Sequence, residues 1–332
     1  MRIGVIGAGS WGTTLADMLA KNGHDVRIWA REAEVVSGIK QDRVNPIFLP
    51  ECPLQEGIEA YGEIGDVVAG AEVLVSAAPS HAVRTVGETV ASAVGSEKPL
   101  LVSVTKGLEP GSHHTMTQVW EELVPQSAIV VLSGPSFAEE VFRSSPTAVV
   151  AASDDRVAAE VVQQAFSNLY FRVYTSPDTV GVQLGGALKN VVAIATGMLD
   201  GLELGNNPRA ALITRGLAET ARLGEALGAD PHTFAGLAGM GDLMLTATGA
   251  LSRNRTLGIE LAKGRTLEEI LSERQSVAEG VNTARVAVAL AAAKGVELPI
   301  ATEVEQILFQ GKSPRTAIQD LMHRDLKAER WR

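Results

Sequence analysis

Residues 3–12 read Ile-Gly-Val-Ile-Gly-Ala-Gly-Ser-Trp-Gly, an apolar run that leads directly into a Gly-x-Gly-x-x-Gly pattern. The pattern alone also fits an ordinary glycine turn, but here it joins a predicted strand to a predicted helix, as dinucleotide binding requires. Gly7 permits the tight turn, Gly9 lets the backbone approach a pyrophosphate, and Gly12 allows close packing of helix on sheet. The N–H groups at the helix N-terminus would then face the phosphates. We predict a dinucleotide-binding unit here.

The remainder of the first half alternates between apolar and helical segments. Continuous apolar runs indicate strands that are covered on both faces of a parallel sheet. The sequence therefore predicts an α/β fold that begins with a doubly wound Rossmann-like domain. The predicted strands are 3–6, 26–29, 73–77, 100–104 and 129–132, with further candidates at 147–151 and 171–174, and the clearest intervening helices are 13–22 and 82–94.

The composition changes after residues 176–178, which read Ser-Pro-Asp. Beyond them Val, Ile and aromatic residues become rarer, whereas Ala, Leu and Glu become more frequent. We predict that a dinucleotide-binding domain, 1–178, is followed by an all-α substrate and catalytic domain, 179–332. The predicted helices of the second domain are 180–199, 208–226, 266–272 and 283–294, with a last helix that ends near residue 329.

Length, charge and cysteine content limit the possible functions. The 332 residues suit about two domains. The net charge of -10 argues against binding to nucleic acids or anionic membranes, which requires a positive field. Cys52 is the single cysteine, so internal disulfides and zinc sites built on cysteine pairs are excluded, and we expect a reducing cytoplasm and no metal. We see no leader peptide, and the apolar stretch 179–199 carries Lys189 at its centre, so we expect a buried helix and no integral membrane segment.

The end of the second predicted strand bears on the choice of cofactor. An acidic residue normally ends this strand when the cofactor is NAD, because it hydrogen-bonds the adenine ribose. Ala30 stands in that place, and Arg31 after it could accept the 2′-phosphate of NADP, although it also fits a solvated loop charge. Glu32 keeps NAD possible if the register is shifted by two residues. We predict NADP or NAD, with NADPH slightly favoured.

Three predicted strands end in polar residues. Ligands of open α/β sheets bind beyond the carboxyl ends of the strands. Lys106 follows one strand and should face the cofactor crevice, and Ser136 follows another and could offer its hydroxyl or N–H to a substrate. Each alone would also fit a solvated turn, but their shared position, together with Ser80 after a third strand, favours a functional interpretation.

Two charged residues are isolated in apolar or glycine-rich surroundings. Lys189 is the only charge between Asp178 and Asp200, and no carboxylate lies at helical spacing from it. Burial would lower its pKa, which would suit a general acid/base, whereas the commoner alternative is a lysine that reaches the surface. Asp242 lies in the segment 236–243 and is either a turn cap or a partner that orients Lys189 and a substrate hydroxyl.

Residues 252–255, Ser-Arg-Asn-Arg, place two cations beside two neutral hydrogen-bonding side chains. Arginine is the natural bidentate ligand of a phosphate, so this segment is a candidate phosphate site. The alternative is a solvated helix start that is capped by Ser252.

These segments occur in an order that closely resembles bacterial NAD(P)-dependent glycerol-3-phosphate dehydrogenases, and the resemblance covers nearly the whole chain. It implies interconversion of sn-glycerol 3-phosphate and dihydroxyacetone phosphate in the cytoplasm, in support of phospholipid synthesis. We also expect a homodimer. The segments that carry the resemblance are 7–13, 105–109, 133–139, 189–190, 239–243 and 252–255.

The resemblance also implies roles for individual residues. Lys189 matches the family's catalytic proton-transfer lysine, Lys106 matches a lysine that touches both cofactor and substrate, and Asn190 and Thr246 fit supporting roles. The other implied substrate contacts are Gly134, Ser136, Asp242, Ser252, Arg253 and Asn254. The implied cofactor contacts, beside Gly7, Gly9 and Gly12 of the glycine loop, are Ser10, Trp11, Arg31, Lys106, Ala138, Arg253, Val277 and Glu279.

Two other functions compete with this one. A β-hydroxyacid or 6-phosphogluconate-type dehydrogenase also combines a glycine loop with a helical Lys-Asn pair, but segments 133–139 and 252–255 favour the glycerol phosphate enzyme. A noncatalytic dinucleotide sensor would need the glycine loop but not Lys189 or Asp242.

Overall fold

The computed structural model describes residues 1–273, 278–326 and 328–329. Its first part is one eight-stranded sheet with the strand order β3-β2-β1-β4-β5-β6-β7-β8. The strands are β1 Arg2–Ile6, β2 Asp25–Trp29, β3 Ile58–Tyr61, β4 Val73–Ser76, β5 Leu100–Ser103, β6 Ile129–Ser133, β7 Thr147–Ala152 and β8 Phe171–Ser176.

Seven helices cover the two faces of this sheet, and the helices that follow it form a second, all-α part, so the predicted fold class is confirmed. The helices of the first part are α1 Ser10–Lys21, α2 Ala33–Asp42, α3 Ile64–Val68, α4 Val83–Val94, α5 Met116–Leu123, α6 Ala138–Phe142 and α7 Arg156–Phe166. Those of the second are α8 Thr179–Gly201, α9 Asn206–Ala226, α10 Asp242–Thr248, α11 Arg253–Ala262, α12 Leu267–Ser272, α13 Glu279–Ala293, α14 Pro299–Gln310 and α15 Pro314–Met322.

The strand order places the ligand crevice. The first six strands are parallel, and the connections reverse direction between β1 and β4, which is where such sheets bind ligands. The last two strands depart from the predicted parallel sheet, because β7 runs antiparallel to β6 and β8 runs parallel to β7. The connection from β6 to β7 contains one short helix, the five-residue α6.

Several elements differ from the sequence-based prediction. The prediction missed strand β3, because the exposed Glu59 interrupts this four-residue edge strand and leaves no continuous apolar run. Helix α15 ends at Met322 and not near residue 329, although the charged residues that follow are good helix formers. Helix α14 also escaped, although Pro299 at its start and a left-handed Gly311 after its end are ordinary boundary signals.

Helix α8 is the centre of the all-α part and contacts α9, α10, α11, α13 and α14. It is long and apolar enough to cross a membrane, but that window is buried throughout inside the protein, as the sequence predicts. Helix α11 lies so close to α8 that a Cβ on Gly258 would stand 2.0 Å from the carbonyl oxygen of Ile194. Strand β8 ends just before α8 begins, and the division into domains 1–178 and 179–332 remains a prediction.

Candidate active site

The three glycines of the loop differ in the space around them. Gly7 has a φ of 117°, which favours glycine, and a Cβ on Gly12 would stand 2.0 Å from the carbonyl oxygen of Gly7. Around Gly9, by contrast, no group of the described chain beyond its two sequence neighbours comes within 4 Å of the position a Cβ would take. Two of the glycines therefore allow close packing, and the third leaves open space at the N-terminus of α1 for a ligand.

Asn45 supports this loop and was missed in the sequence. Its buried amide nitrogen donates to the carbonyl oxygen of Ala8 at 2.7 Å and to Thr13 Oγ1 at 2.8 Å, and its Oδ1 accepts from the backbone N–H of Phe48 at 3.0 Å. The carbonyl oxygen of Phe48 in turn accepts from Ser10 Oγ at 2.8 Å. The Asn45-Pro46 dipeptide, a typical turn signal, was the available clue.

The other predicted cofactor residues differ in their position relative to this loop. Trp11 packs partly buried beside it, and its Nε1 is buried without a hydrogen-bond partner in the described part of the chain. Ala138 begins α6 and accepts a hydrogen bond from Thr14 of α1 at 3.2 Å. Arg31 is exposed at the end of β2, and Val277 lies outside the described residues.

Asp242 joins two lysines that lie far apart in the sequence. This carboxylate, at the start of α10, is fully buried. Its Oδ2 accepts from Lys106 Nζ at 2.7 Å, and its Oδ1 accepts a short hydrogen bond from Lys189 Nζ. Lys189 Nζ also donates to Thr246 Oγ1 at 2.9 Å, and Lys106 Nζ to the carbonyl oxygen of Gly134 at 2.8 Å. Strand β5, helix α8 and helix α10 thus meet in one polar cluster.

Burial makes Lys189 titratable near neutral pH. Burial in α8 lowers the pKa of Lys189 to about 7, because desolvation disfavours the ammonium form. The Asp242 carboxylate opposes this shift, and the Lys106 ammonium reinforces it. Both protonation states of Lys189 are therefore populated at neutral pH, so it can donate or accept a proton.

A chain of side-chain amides ties the all-α part to the lysine cluster. Asn190 Oδ1, next to the catalytic candidate Lys189, accepts from Asn254 Nδ2 of α11 at 2.9 Å. Asn254 Oδ1 accepts from the backbone N–H of Gly280 in α13 at 3.1 Å. Asn190 Nδ2 donates to the backbone carbonyl of Lys106 at 3.4 Å. The start of α11 is thereby held close to Lys189.

The two arginines of segment 252–255 have different surroundings. Arg253 is solvent-accessible, and although nearby protein still lowers its pKa by desolvation, the carboxylate of Glu279 opposes that shift. Arg255 Nε instead donates to Asp200 Oδ2 at the end of α8, at 2.6 Å. Ser252 caps α11, because its Oγ accepts from the N–H of Arg255 at 3.2 Å. Arg255 is thus bound to Asp200, and Arg253, the more exposed of the two, is the candidate phosphate ligand.

Two further predicted residues lie at strand ends. Glu279 reaches from α13 to the end of β4, where its Oε1 accepts from the backbone N–H of Ser80 at 3.0 Å and its Oε2 from the Ser80 hydroxyl. Gly134 has a φ of 141°, and a Cβ there would stand 2.9 Å from Val149 Cα. Ser136 Oγ donates to the carbonyl oxygen of Gly134 at 3.0 Å. The described residues contain no group of three His, Cys, Asp or Glu side chains that could hold a metal ion.

A glycine loop after the first strand of a parallel sheet, together with a buried lysine whose pKa is about 7, is the combination expected of a dinucleotide-dependent dehydrogenase. The model of the NAD-dependent glycerol-3-phosphate dehydrogenase N-terminus matches residues 2–159, and the model of the C-terminus matches residues 178–319. The chain therefore belongs to the NAD-dependent glycerol-3-phosphate dehydrogenase family.

Individual relatives agree with this assignment. Glycerol-3-phosphate dehydrogenase [NAD(P)+] of Geobacter metallireducens is 54% identical, with 99% of each chain covered, and that of Geobacter sulfurreducens is 52% identical over the same share. The crystal structure of glycerol-3-phosphate dehydrogenase from Coxiella burnetii is 38% identical, covers 97% of this chain and 98% of its own, and superposes with a TM-score of 0.93. The predicted family, its enzymatic nature and its NAD or NADP cofactor are confirmed.

Proposed function

We propose that this enzyme interconverts sn-glycerol 3-phosphate and dihydroxyacetone phosphate, and that Lys189 is its general acid and base. The observation that carries the proposal is the buried Lys189, whose pKa near 7 accompanies hydrogen bonds to Asp242 and Thr246. The names of the relatives support the substrate pair.

Lys189 would move one proton in each direction of the reaction. The nicotinamide cofactor, which the glycine loop (residues 7–12) would hold, would provide the hydride chemistry at C2 of the substrate. In the reductive direction the Lys189 ammonium would protonate the oxygen at C2 as its negative charge develops. In the oxidative direction the neutral Lys189 amine would take the proton from the C2 hydroxyl. A pKa of about 7 supports both roles at neutral pH.

Asp242 and Lys106 would determine the net charge of the site where Lys189 transfers its proton. Asp242 holds both lysine ammonium groups, so the trio carries a net charge of about +1 when both lysines are protonated. That positive charge would stabilise an oxygen anion at C2. Lys106 lies at the end of β5, beside the crevice, so it would contact cofactor and substrate together.

The substrate phosphate would bind at the start of α11. Its first N–H groups and the Arg253 guanidinium are suitable anion donors, and Asn254 connects this end of the helix to Asn190. Gly134 and Ser136 would line the substrate from the β6 side. Binding of the remote phosphate would position C2, so substrates that lack phosphate should lose turnover as well as affinity.

The remaining assignments are also proposals. We assign the cofactor to the glycine loop and the crevice beside it, with NADPH slightly favoured over NADH. We also propose that the enzyme works in the cytoplasm as a homodimer and supplies glycerol 3-phosphate for phospholipid synthesis. The proposed cofactor contacts are Gly7, Gly9, Ser10, Trp11, Gly12, Arg31, Lys106, Ala138, Arg253, Val277 and Glu279.

A substrate panel tests the reaction. Initial rates of dihydroxyacetone phosphate reduction should be measured with NADPH and NADH side by side, with dihydroxyacetone as the control that lacks phosphate. Oxidation of 6-phosphogluconate and of a β-hydroxyacid should be measured in parallel. We expect turnover of the phosphorylated ketone alone. Preferred turnover of 6-phosphogluconate or of the β-hydroxyacid would replace the proposed substrate.

A further inference from the structure

The end of β2 touches the glycine loop directly. Trp29 is paired with Ile6 in the parallel ladder, and its carbonyl oxygen accepts from the N–H of Gly7 at 3.2 Å. Residues 30–32 therefore lie beside the loop, at the position where an adenine ribose meets the second strand of such a sheet. NAD and NADP differ only by the 2′-phosphate on that ribose. Residues 30–32 would therefore contact the one group that distinguishes the two cofactors.

Two opposite charges occupy this position and neutralise each other. Ala30 is buried and has no polar side-chain atom to offer. Arg31 is exposed, and its Nε and Nη2 both donate to Glu32 Oε1, at 3.0 Å and 2.7 Å. Glu32 is also the N-cap residue of α2, but its side chain makes no capping hydrogen bond. Its carboxylate therefore pairs with Arg31 instead of with the helix.

We propose that Glu32 is a specificity-determining residue that lets this enzyme bind NAD(H) as well as NADP(H). Its carboxylate competes with a 2′-phosphate for the Arg31 guanidinium and repels that phosphate directly. The same carboxylate accepts a hydrogen bond from the 2′-hydroxyl of NAD(H), as an acidic residue does in NAD-binding sheets of this kind. Arg31 favours NADP(H) and Glu32 favours NAD(H), so the affinities for the two cofactors stay similar.

The effect should be moderate because both groups are in contact with water. Exposed ion pairs contribute less than about 1 kcal/mol, which corresponds to about a fivefold change in affinity. Salt should reduce it further, because charges at the surface are screened over about 10 Å at 0.1 M ionic strength.

Calorimetric titration with cofactor fragments tests the proposal without turnover. The probes are adenosine 2′,5′-bisphosphate and adenosine 5′-monophosphate, bound to the wild type, Glu32→Gln and Arg31→Ala at low ionic strength. Glu34→Gln is the matched control, because it removes an exposed carboxylate from the first turn of the same helix. We expect Glu32→Gln to bind the bisphosphate about fivefold more tightly, with no gain for the monophosphate. Arg31→Ala should weaken the bisphosphate selectively.

Two results would overturn the proposal. If Glu34→Gln tightened the bisphosphate as much as Glu32→Gln, the effect would belong to net charge and not to Glu32. If Glu32→Gln left the ratio of the two affinities unchanged, Arg31 and Glu32 would be an ordinary surface pair. Neither result would affect the proposal that Lys189 is the general acid and base, because the fragments contain no nicotinamide. As a kinetic check, the ratio of kcat/KM for NADPH to that for NADH should rise by the same factor in Glu32→Gln.

Discussion

Helix α8 takes part in two charge clusters that have the same composition of one aspartate and two cations but different acid-base properties. In the middle of the helix, Lys189 shares the buried Asp242 with Lys106; at its end, Asp200 is shared by Arg209 and Arg255. Each consists of one aspartate between two cations; Asp242 is fully buried, and the side chain of Asp200 is 8% exposed. Arginine stays protonated at any ordinary pH, whereas a desolvated lysine can release its proton near neutrality. The same arrangement therefore ties helices together when the cations are arginines, whereas with lysines it suits the proton transfer that we propose for Lys189.

The largest expected effect is the loss of turnover in Lys189→Ala. Removing a general acid/base should lower kcat by about a thousandfold, while the variant still binds cofactor. Initial rates measure kcat, cofactor titration measures binding, and thermal unfolding checks that the variant is folded. Lys98→Ala provides an exposed control. Lys189→Met serves as a second variant of similar volume. A folded variant with near wild-type kcat would remove Lys189 from the proposed chemistry.

The pH dependence should have opposite signs in the two directions. Oxidation needs the neutral amine of Lys189, so its kcat/KM should rise as the pH increases through about 7. Reduction needs the ammonium form, so its kcat/KM should fall over the same range. The Asp242 carboxylate raises the pKa of Lys189, so Asp242→Asn should move both midpoints to lower pH. Unmoved midpoints, with Glu268→Gln as the exposed control, would assign the titration to another group.

The arginine pair should affect stability more than chemistry. Asp200→Ala leaves Arg209 and Arg255 without their shared carboxylate, which should cost about 2 kcal/mol of unfolding free energy, between the values for surface and buried pairs. Urea unfolding measures this loss, and kcat of the folded variant should fall less than tenfold. A loss of turnover as large as that of Lys189→Ala, at unchanged stability, would contradict the distinction between the two pairs.

A last prediction, which concerns stability alone, involves a buried carboxyl group that accepts hydrogen bonds from backbone amides. Glu219 of α9 accepts from the N–H groups of Ile300 and Ala301, and burial raises its pKa to about 7. The folded state therefore binds this proton more tightly than the unfolded chain does, so the contribution of Glu219 to stability should decline as pH rises from about 4.5 to 7. Urea unfolding across that range should be less pH-dependent in Glu219→Gln. An unchanged pH dependence would show that Glu219 does not titrate there.

Local patterns were enough to predict much of the fold and the candidate site. Glycine spacing, continuous apolar runs and the isolation of Lys189 and Asp242 can all be read without a partner segment, because they reflect backbone freedom and burial. The prediction missed strand β3. It also missed helix α14, although Pro299 and Gly311 mark the two ends of that helix. Asn45 escaped because its hydrogen bonds to Ala8 and Thr13 join segments more than 30 residues apart.

The sequence by itself therefore determined the glycine loop, the succession of buried strands, and the presence of a lysine in an apolar helix. Only the tertiary structure decided the reversed direction of β7 and β8 and the partners of each charge. Lys106 and Asp242 are separated by 136 residues, and Lys189 and Asp242 by 53, yet their side chains meet. Arg255, adjacent in sequence to the phosphate candidate, pairs with Asp200 instead. Periodicity records which residues are buried, whereas packing between distant helices decides which cation meets which carboxylate.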